Sequence, residues 1–423
     1  MTISRSLRVR TLRRMAAATL LAAAWTLSFV TPAAQFPEAQ LVSVNLFDVP
    51  GAVSTTAAGI NDNGDIVGSY IDAAGNQHGY LRQGSTFTTI DYPGAVTTGL
   101  TGINNSGRII GCFYTFPGIP GHPCYFGFML DNAVFTPITH PNGIFTFLTG
   151  IADNGDIVGF ALGADGFRYR NGTFTEVTVH GASGTDPSGI NASAQIVGSW
   201  RGTEQGPAGQ SFLMRPSTTG PPITSTIAYP GAVFTGITDN NDAEDLVGNV
   251  FFLDPNRGAG LIYRDGAFTT VDVGPNTALH DINNRNQIVG TVGNQEANRA
   301  FVATLPPRIV LTLTGCTTCL PGAQFTVQAR LMNSLPANSS VEWKIGLRLP
   351  DGTPASILGP NGQTITLPTG TNATFTILDF AWPAGLPAGR WTVESSLMEP
   401  ALGKVFSRQV REFVVTPPTP ASR

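Results

Sequence analysis

The sequence predicts an all-β chain: a six-bladed β-propeller of four-stranded blades, closed by the N-terminal strand and followed by an immunoglobulin-like β-sandwich. Three observations predict it. One glycine-rich motif recurs six times at a spacing of about forty to fifty residues, the period of propeller blades. Glycine (49) and proline (31) punctuate short apolar runs, as many turns and short strands require. Charged residues make up 12% of the chain against 42% hydrophobic, enough to bury a sizeable core and too apolar for a disordered chain.

The chain opens on a targeting segment, residues 1–33. Arg5, Arg8, Arg10, Arg13 and Arg14 form a basic stretch, Met15 to Val30 is apolar, and Thr31-Pro32-Ala33 offers a small-x-small cleavage site. That is the layout of a secretory signal peptide. The apolar run is shorter than the roughly 20 residues a membrane span needs. The expected location is secreted, periplasmic or cell-surface, with no membrane span in the mature chain. Removing the segment takes away five arginines and no acid, which leaves 19 basic against 28 acidic side chains. Lysine occurs only at Lys344 and Lys404. An acidic chain without a basic cluster argues against nucleic acid as a partner.

The six motifs run from Gly59 (GINDNGDIVG), Gly102 (GINNSGRIIG), Gly150 (GIADNGDIVG), Gly189 (GINASAQIVG), Gly236 (GITDNNDAEDLVG, with an insertion near Ala243-Glu244) and Asp281 (DINNRNQIVG). Helical repeats share this period but need 3.6-residue apolar spacing and few glycines. Each copy reads as four strands. The first enters the motif, and a tight turn such as Asn63-Gly64 follows. The second carries the glycine found in all six copies (68, 111, 159, 198, 248, 290), expected where blades crowd. The third is aromatic, as in Gly79-Tyr80-Leu81. The fourth, such as Phe87 to Asp91, ends in a Pro-Gly turn.

The ends of the array predict closure. The sixth copy stops after its third strand, Ala300 to Thr304, and Pro306-Pro307 follows. Val44 to Ala52 aligns with a fourth strand and precedes the first copy. Pairing the two would complete six blades over residues 40–305 and remove the exposed edges of an open array. Beyond the prolines the repeat ends. Residues 308–416 show about seven strand-like runs at short spacing, as in an immunoglobulin-like sandwich. Residues 417–423 read as a disordered tail.

The unit G-I-N-x-x-G-x-I-V-G, followed by an H-A-F-like strand and an F-T-x-I/V-D strand, resembles the HAF repeat of bacterial extracellular proteins. His78-Gly79-Tyr80 and Arg299-Ala300-Phe301 are its nearest matches to the tripeptide. The resemblance covers about residues 40–305. It implies an extracellular location and brings no activity, substrate or catalytic residue.

Candidate sites follow from residue chemistry. Asp48, Asp91 and Asp272, with Thr139 and Thr178 in the same slot, end fourth strands and would project from one face of a ring at the channel mouth; His140, His180 and His280 lie near in register. Asp62 and Asp65, Asp153 and Asp156, and Asp239 and Asp242 form D-x-x-D patterns that could offer oxygen ligands to calcium. The same slots hold Asn105, Arg108, Ala192 and Gln195, and turn chemistry explains the pattern without a metal. Cys112 and Cys124 flank a Pro/Gly-rich stretch and are expected to pair across a hairpin in an oxidising compartment. Cys316 and Cys319 are read as a local structural disulfide, since a redox or zinc site lacks its further partners. No G-x-S-x-G, H-E-x-x-H or P-loop is present. No cofactor and no catalytic residue is assigned. The expectation is a monomeric, non-catalytic protein presenting a propeller face to a glycan, peptide or protein. The alternative is a propeller hydrolase or lyase acting on a polymer in the central channel.

Overall fold

The computed structural model describes residues 38–416, apart from 40, 116–124, 203–209, 218–219, 253–256, 265, 295–296, 317, 334–337, 358–361, 384, 402 and 404. Residues 1–33 and 417–423, expected as signal peptide and tail, lie outside the described residues. Every regular element described is a strand, and no described helix is long and apolar enough to cross a membrane.

Up to Thr304 the strands form six four-stranded antiparallel sheets. In the first, Ser54–Ile60, Ile66–Ile71, Gln77–Gln83 and Thr86–Ile90 follow one another in space as in sequence. The next four begin at the inner strands Thr97–Ile103, Thr146–Ile151, Gly184–Ile190 and Phe234–Asn240. The sixth begins at Ala278–Ile282, and its fourth strand comes from the N-terminus: Ser43–Phe47 pairs with Ala297–Thr304, Leu46 opposite Phe301. The inner strand of each sheet touches the next in chain order, and the first touches the sixth.

The third strands supply the largest recurring core side chains. Tyr80, Phe128, Phe167, Phe212, Leu261 and Phe301 occupy one slot and are fully buried, each contributing about 3 kcal/mol of apolar burial. The small residue before them has a reason. A Cβ on Gly79, Gly127 or Gly260 would stand 2.8 Å from Leu100, Leu148 or Leu279 of the next sheet, so its absence lets adjacent sheets interlock.

The connection between sheets is held by a threonine the sequence reading passed over. Thr55, Thr98, Thr146, Thr185, Thr235 and Thr277 sit near the start of each inner strand. Their hydroxyls accept the backbone N–H of Val49, Tyr92, His140, Val179, Tyr229 and Val273. All six threonines are buried, where an unmet N–H costs about 1–3 kcal/mol.

Two expectations are corrected. The recurrent second-strand glycine does not mark contact between neighbouring sheets. A Cβ there would meet a carbonyl of its own inner strand, 1.9 Å from Thr56 O for Gly68 and 2.0 Å from Phe147 O for Gly159. A β-bulge in each inner strand causes this: pairing shifts register at Ala57/Gly59, Leu100/Gly102, Leu148/Gly150, Pro187/Gly189, Ile237/Asp239 and Leu279/Asp281. The fifth motif has no insertion. It begins at Asp239, with Asn240 paired to Leu246 where the first has Ile60 paired to Ile66. Glu244, at φ 60°, holds the left-handed position that Gly64 holds in the first. An asparagine in the isoleucine slot hid this register.

After Leu305-Pro306-Pro307, a three-stranded sheet (Arg308–Gly315, Gln324–Asn333, Thr371–Ala381) faces a six-stranded one that includes Ser339–Arg348, Gly389–Met398 and Val405–Val415. Their inner faces share one core, with Phe325, Trp343, Trp382, Trp391 and Phe413. All seven expected strands are present. Two short ones, Thr318–Cys319 and Pro354–Ser356, were not expected. Cys316 and Cys319 form a disulfide at the crossing from one sheet to the other. Cys112 is also disulfide-bonded; Cys124 lies outside the described residues.

Arg308 joins the two parts. It is 4% exposed, and its guanidinium pairs with Asp245 of the fifth sheet, which also accepts from Arg264 at 2.9 Å.

Candidate functional site

Residues of all six inner strands line one cavity of about 80 Å³. Its walls are built from the motif. Asn61 accepts the N–H of Asn63 and Asp65, both at 3.0 Å, and so folds the turn on itself. Its amide then reaches the carbonyl of Asn104 in the next repeat. Asn104, Asn191 and Asn241 repeat this on Ala152, Asn241 and Asn283. Asn283 makes the same contact from the last repeat to the first, on Asn61 at 2.9 Å. The third repeat carries Ala152 in this slot.

One residue further on lies a ring of acids and amides, Asp62, Asn105, Asp153, Asp242 and Asn284, interrupted by Ala192 in the fourth repeat. The Asn105 amide donates to Asp62 at 2.8 Å and to Asp153 at 2.7 Å. The Asn284 amide bridges Asp62 and Asp242, both at 3.2 Å. Backbone N–H groups of Asp62, Asn105, Ala192, Asp242 and Asn284 each donate to the following ring side chain. Burial, with the charges of Asp62 and Asp242, pushes the Asp153 carboxyl up.

Deeper in, the bulge residues form another joint. The hydroxyls of Thr101, Thr149, Ser188 and Thr238 donate to carbonyls of the next inner strand, at 2.7 to 3.2 Å. The slot is Ala58 in the first repeat and His280 in the sixth. Burial pushes the His280 imidazole down to about 4; its Nε2 lies 3.1 Å from Thr291 Oγ1.

Beside His280 the symmetry breaks. The motif glycine is replaced by Asp239 and Asp281 in the last two repeats. Both residues line the cavity, and both carboxyl groups converge on the N–H of Ile282, Asp281 Oδ1 at 2.6 Å and Asp239 Oδ2 at 3.4 Å. Burial and the neighbouring Asp281 charge hold Asp239 well above the usual carboxylate range, and burial raises Asp281. No arginine or lysine lines the cavity among the described residues.

The residues expected at a channel mouth lie elsewhere. Asp48, Asp91, Asp272, Thr139 and Thr178 follow the outermost strand of each sheet, and none lines the cavity. The fourth strand of a sheet ends far from the inner strand that bounds the axis. Asp48 pairs with Arg299 at 2.9 Å. Asp91 pairs with His78 at 2.8 Å, whose other nitrogen lies 3.4 Å from Asp72. His140 stacks on Phe167 and His180 is exposed, so the histidines do not converge.

The D-x-x-D turns split their carboxylates. Asp62 joins the ring between repeats, whereas Asp65 accepts from Asn61 and Gln83 of its own sheet. Asp153 joins the ring, and buried Asp156 is held by Arg168 and Arg170. Among the described residues no group of three or more His, Cys, Asp or Glu side chains is placed to hold a metal.

The two ends of the molecule differ. At one end, the turns after the inner strands span residues 61–65, 104–108, 152–156, 191–195, 241–245 and 283–286, nearly constant in length and spent on the joints just described. The module after Arg308 docks here too. At the other end, second and third strands are separated by two to eleven residues of sequence, of which the stretches 72–76 and 162–165 lie wholly among the described residues. Val53, Val96, Ile144 and Val233 lead into inner strands at this end and are 54%, 51%, 70% and 50% exposed.

No family model matches the sequence, and no curated protein does. Among solved structures, a Bacteroides uniformis β-glucuronidase is 12% identical at a TM-score of 0.20, over 28% of this chain and 15% of that one. A putative β-galactosidase from Bacteroides fragilis is 18% identical at 0.20, over 27% and 18%. An arginine-to-alanine triple mutant of AofleA from Arthrobotrys oligospora is 9% identical at 0.22, over 89% and 93%. The chain spans about 15% of the length of the first of these, and likenesses this faint carry no functional argument.

Proposed function

We propose that this chain is an exported, HAF-type six-bladed β-propeller carrying an immunoglobulin-like module, and that it works as a non-catalytic binding protein. Its loop-bearing end would meet a glycan, peptide or protein partner. One observation carries the reading: the contrast between the two ends. Turns of constant length, saturated with hydrogen bonds to the next repeat, do structural work. A rim of exposed valine and isoleucine, beside strand spacings that vary from repeat to repeat, leaves that end free to vary at no cost to the scaffold.

The cavity weighs against a polymer-cleaving enzyme. Asp239 and Asp281 are a possible acid pair, but about 80 Å³ is far below the 300–1,000 Å³ of ordinary small-molecule sites. That volume has room for a few waters and for no sugar ring.

Glycan and peptide arrays probed with the mature chain test the reading. A Val53→Asp, Val96→Asp double variant at the loop-bearing end should lose binding, and Asn154→Ala at the opposite end should retain it. The reverse pattern would refute the assignment of the end. Polymer turnover abolished by Asp239→Asn would overturn the non-catalytic reading.

A further inference from the structure

Neighbouring inner strands meet where the motif begins. A Cβ on Gly59 would stand 2.8 Å from Gly102 Cα, and one on Gly150 2.9 Å from Gly189 Cα. Glycine therefore lets these backbones touch. The last two repeats carry Asp239 and Asp281 instead, and their carboxyl groups fill the space. Gly189 makes room for the first, since a Cβ there would stand 2.3 Å from Asp239 Oδ1. Asp281 Oδ2 accepts the N–H of Ile60 at 2.7 Å, across the seam between the sixth and first repeats. Its Oδ1 accepts the N–H of Ile282 at 2.6 Å.

Asp239 Oδ2 lies 3.4 Å from the same Ile282 nitrogen, so the two carboxyl groups crowd one donor, and they can stay together there only with a proton between them. We propose that Asp239 and Asp281 share one structural proton, and that this proton clasps the seam between the last repeat and the first, making closure of the array sensitive to pH.

The surroundings leave no other source of neutralisation. From the sixth inner strand, His280 is pushed down by burial and is uncharged at neutral pH. From the first repeat, the Asp62 charge disfavours ionisation of Asp281. Asp153 and Asp242 add negative charge at the cavity rim. Full ionisation would place two like charges side by side amid three more. The pair binds its proton more tightly folded than unfolded. Its stabilisation is therefore complete in acid and is lost as pH rises through the folded value.

Infrared difference spectra in heavy water test this directly. The wild-type chain should show a protonated-carboxyl stretch at neutral pH that disappears on alkalisation and is absent from Asp239→Asn and Asp281→Asn. Hydrogen exchange gives a second readout, which needs only the wild-type chain. Once corrected for intrinsic chemistry, protection of the Ile60 amide should fall by up to about tenfold for each pH unit as the pH rises toward the transition, and level off above it. Ile103, which faces a glycine in the same slot, should not follow. A wild-type chain with no protonated carboxyl at neutral pH, or with Ile60 and Ile103 changing alike, overturns the proposal.

Discussion

The side-chain amide of Asn283 donates to the main-chain carbonyl of Asn61, 2.9 Å away across 222 residues of sequence. The amide–carbonyl contact that joins neighbouring repeats thus also joins the last to the first. Asn283 additionally accepts the N–H of Arg285 and Gln287, so it folds its own turn while holding the seam. Asn283→Ala should lower unfolding free energy by about 1–3 kcal/mol, and Asn104→Ala, at an interior joint, by a similar amount. Denaturant titration checks both; an unchanged midpoint for Asn283→Ala would show that the seam is held by other contacts.

Two glycines separate crowding from backbone conformation. A Cβ at Gly159 would lie 2.0 Å from Phe147 O, whereas Gly94 has open space and a φ of +77°. Gly159→Ala should cost about 3 kcal/mol through overpacking against backbone. Gly94→Ala should cost about 1 kcal/mol through strain alone. Equal losses in chemical unfolding would contradict this.

His78 should titrate above an ordinary histidine. Burial lowers its pKa, but hydrogen bonds and charge from Asp91 and Asp72 outweigh this and raise it. A raised folded value means that the contact stabilises the fold in acid and that this contribution fades as pH rises through it. Asp91→Asn should bring the His78 midpoint down in an NMR titration.

Arg308 should hold the two parts of the chain together. Removing one partner of a buried ion pair typically costs about 3–5 kcal/mol; Arg264 remains on Asp245, which places Arg308→Ala near the lower figure. Faster limited proteolysis at Pro306-Pro307, with both parts still folded, is the expected result. Unchanged cleavage would place the contact elsewhere.

Much of this architecture is legible because it is local. Turn glycines, aromatic third strands and the pairing of residues 43–47 with 297–304 follow from patterns within one repeat, or from one strand missing and one spare. Asn171 and Gly172, with φ of 48° and 85°, form the tight hairpin their sequence announces. At Asn63-Gly64 only the glycine is left-handed, because Asn61 closes that turn with its side chain. The fifth repeat was misaligned because Ile237 imitates the core isoleucine that Asn240 replaces. The channel-mouth acids were misplaced because periodicity gives a residue's slot in a sheet without giving the slot's distance from the axis.

By itself the sequence determined six repeats of four strands, a second all-β part and the supply of the missing strand from the N-terminus. These are matters of period and alternation, which each stretch of chain carries within itself. Only the tertiary structure decided what the recurrent asparagines, threonines and acids do. Asn283 meets Asn61, and Asp281 meets both Asp239 and Ile60, because the fold brings distant repeats together. The proton affinity of that acid pair depends on burial and on neighbouring charges, which exist only once the chain has folded.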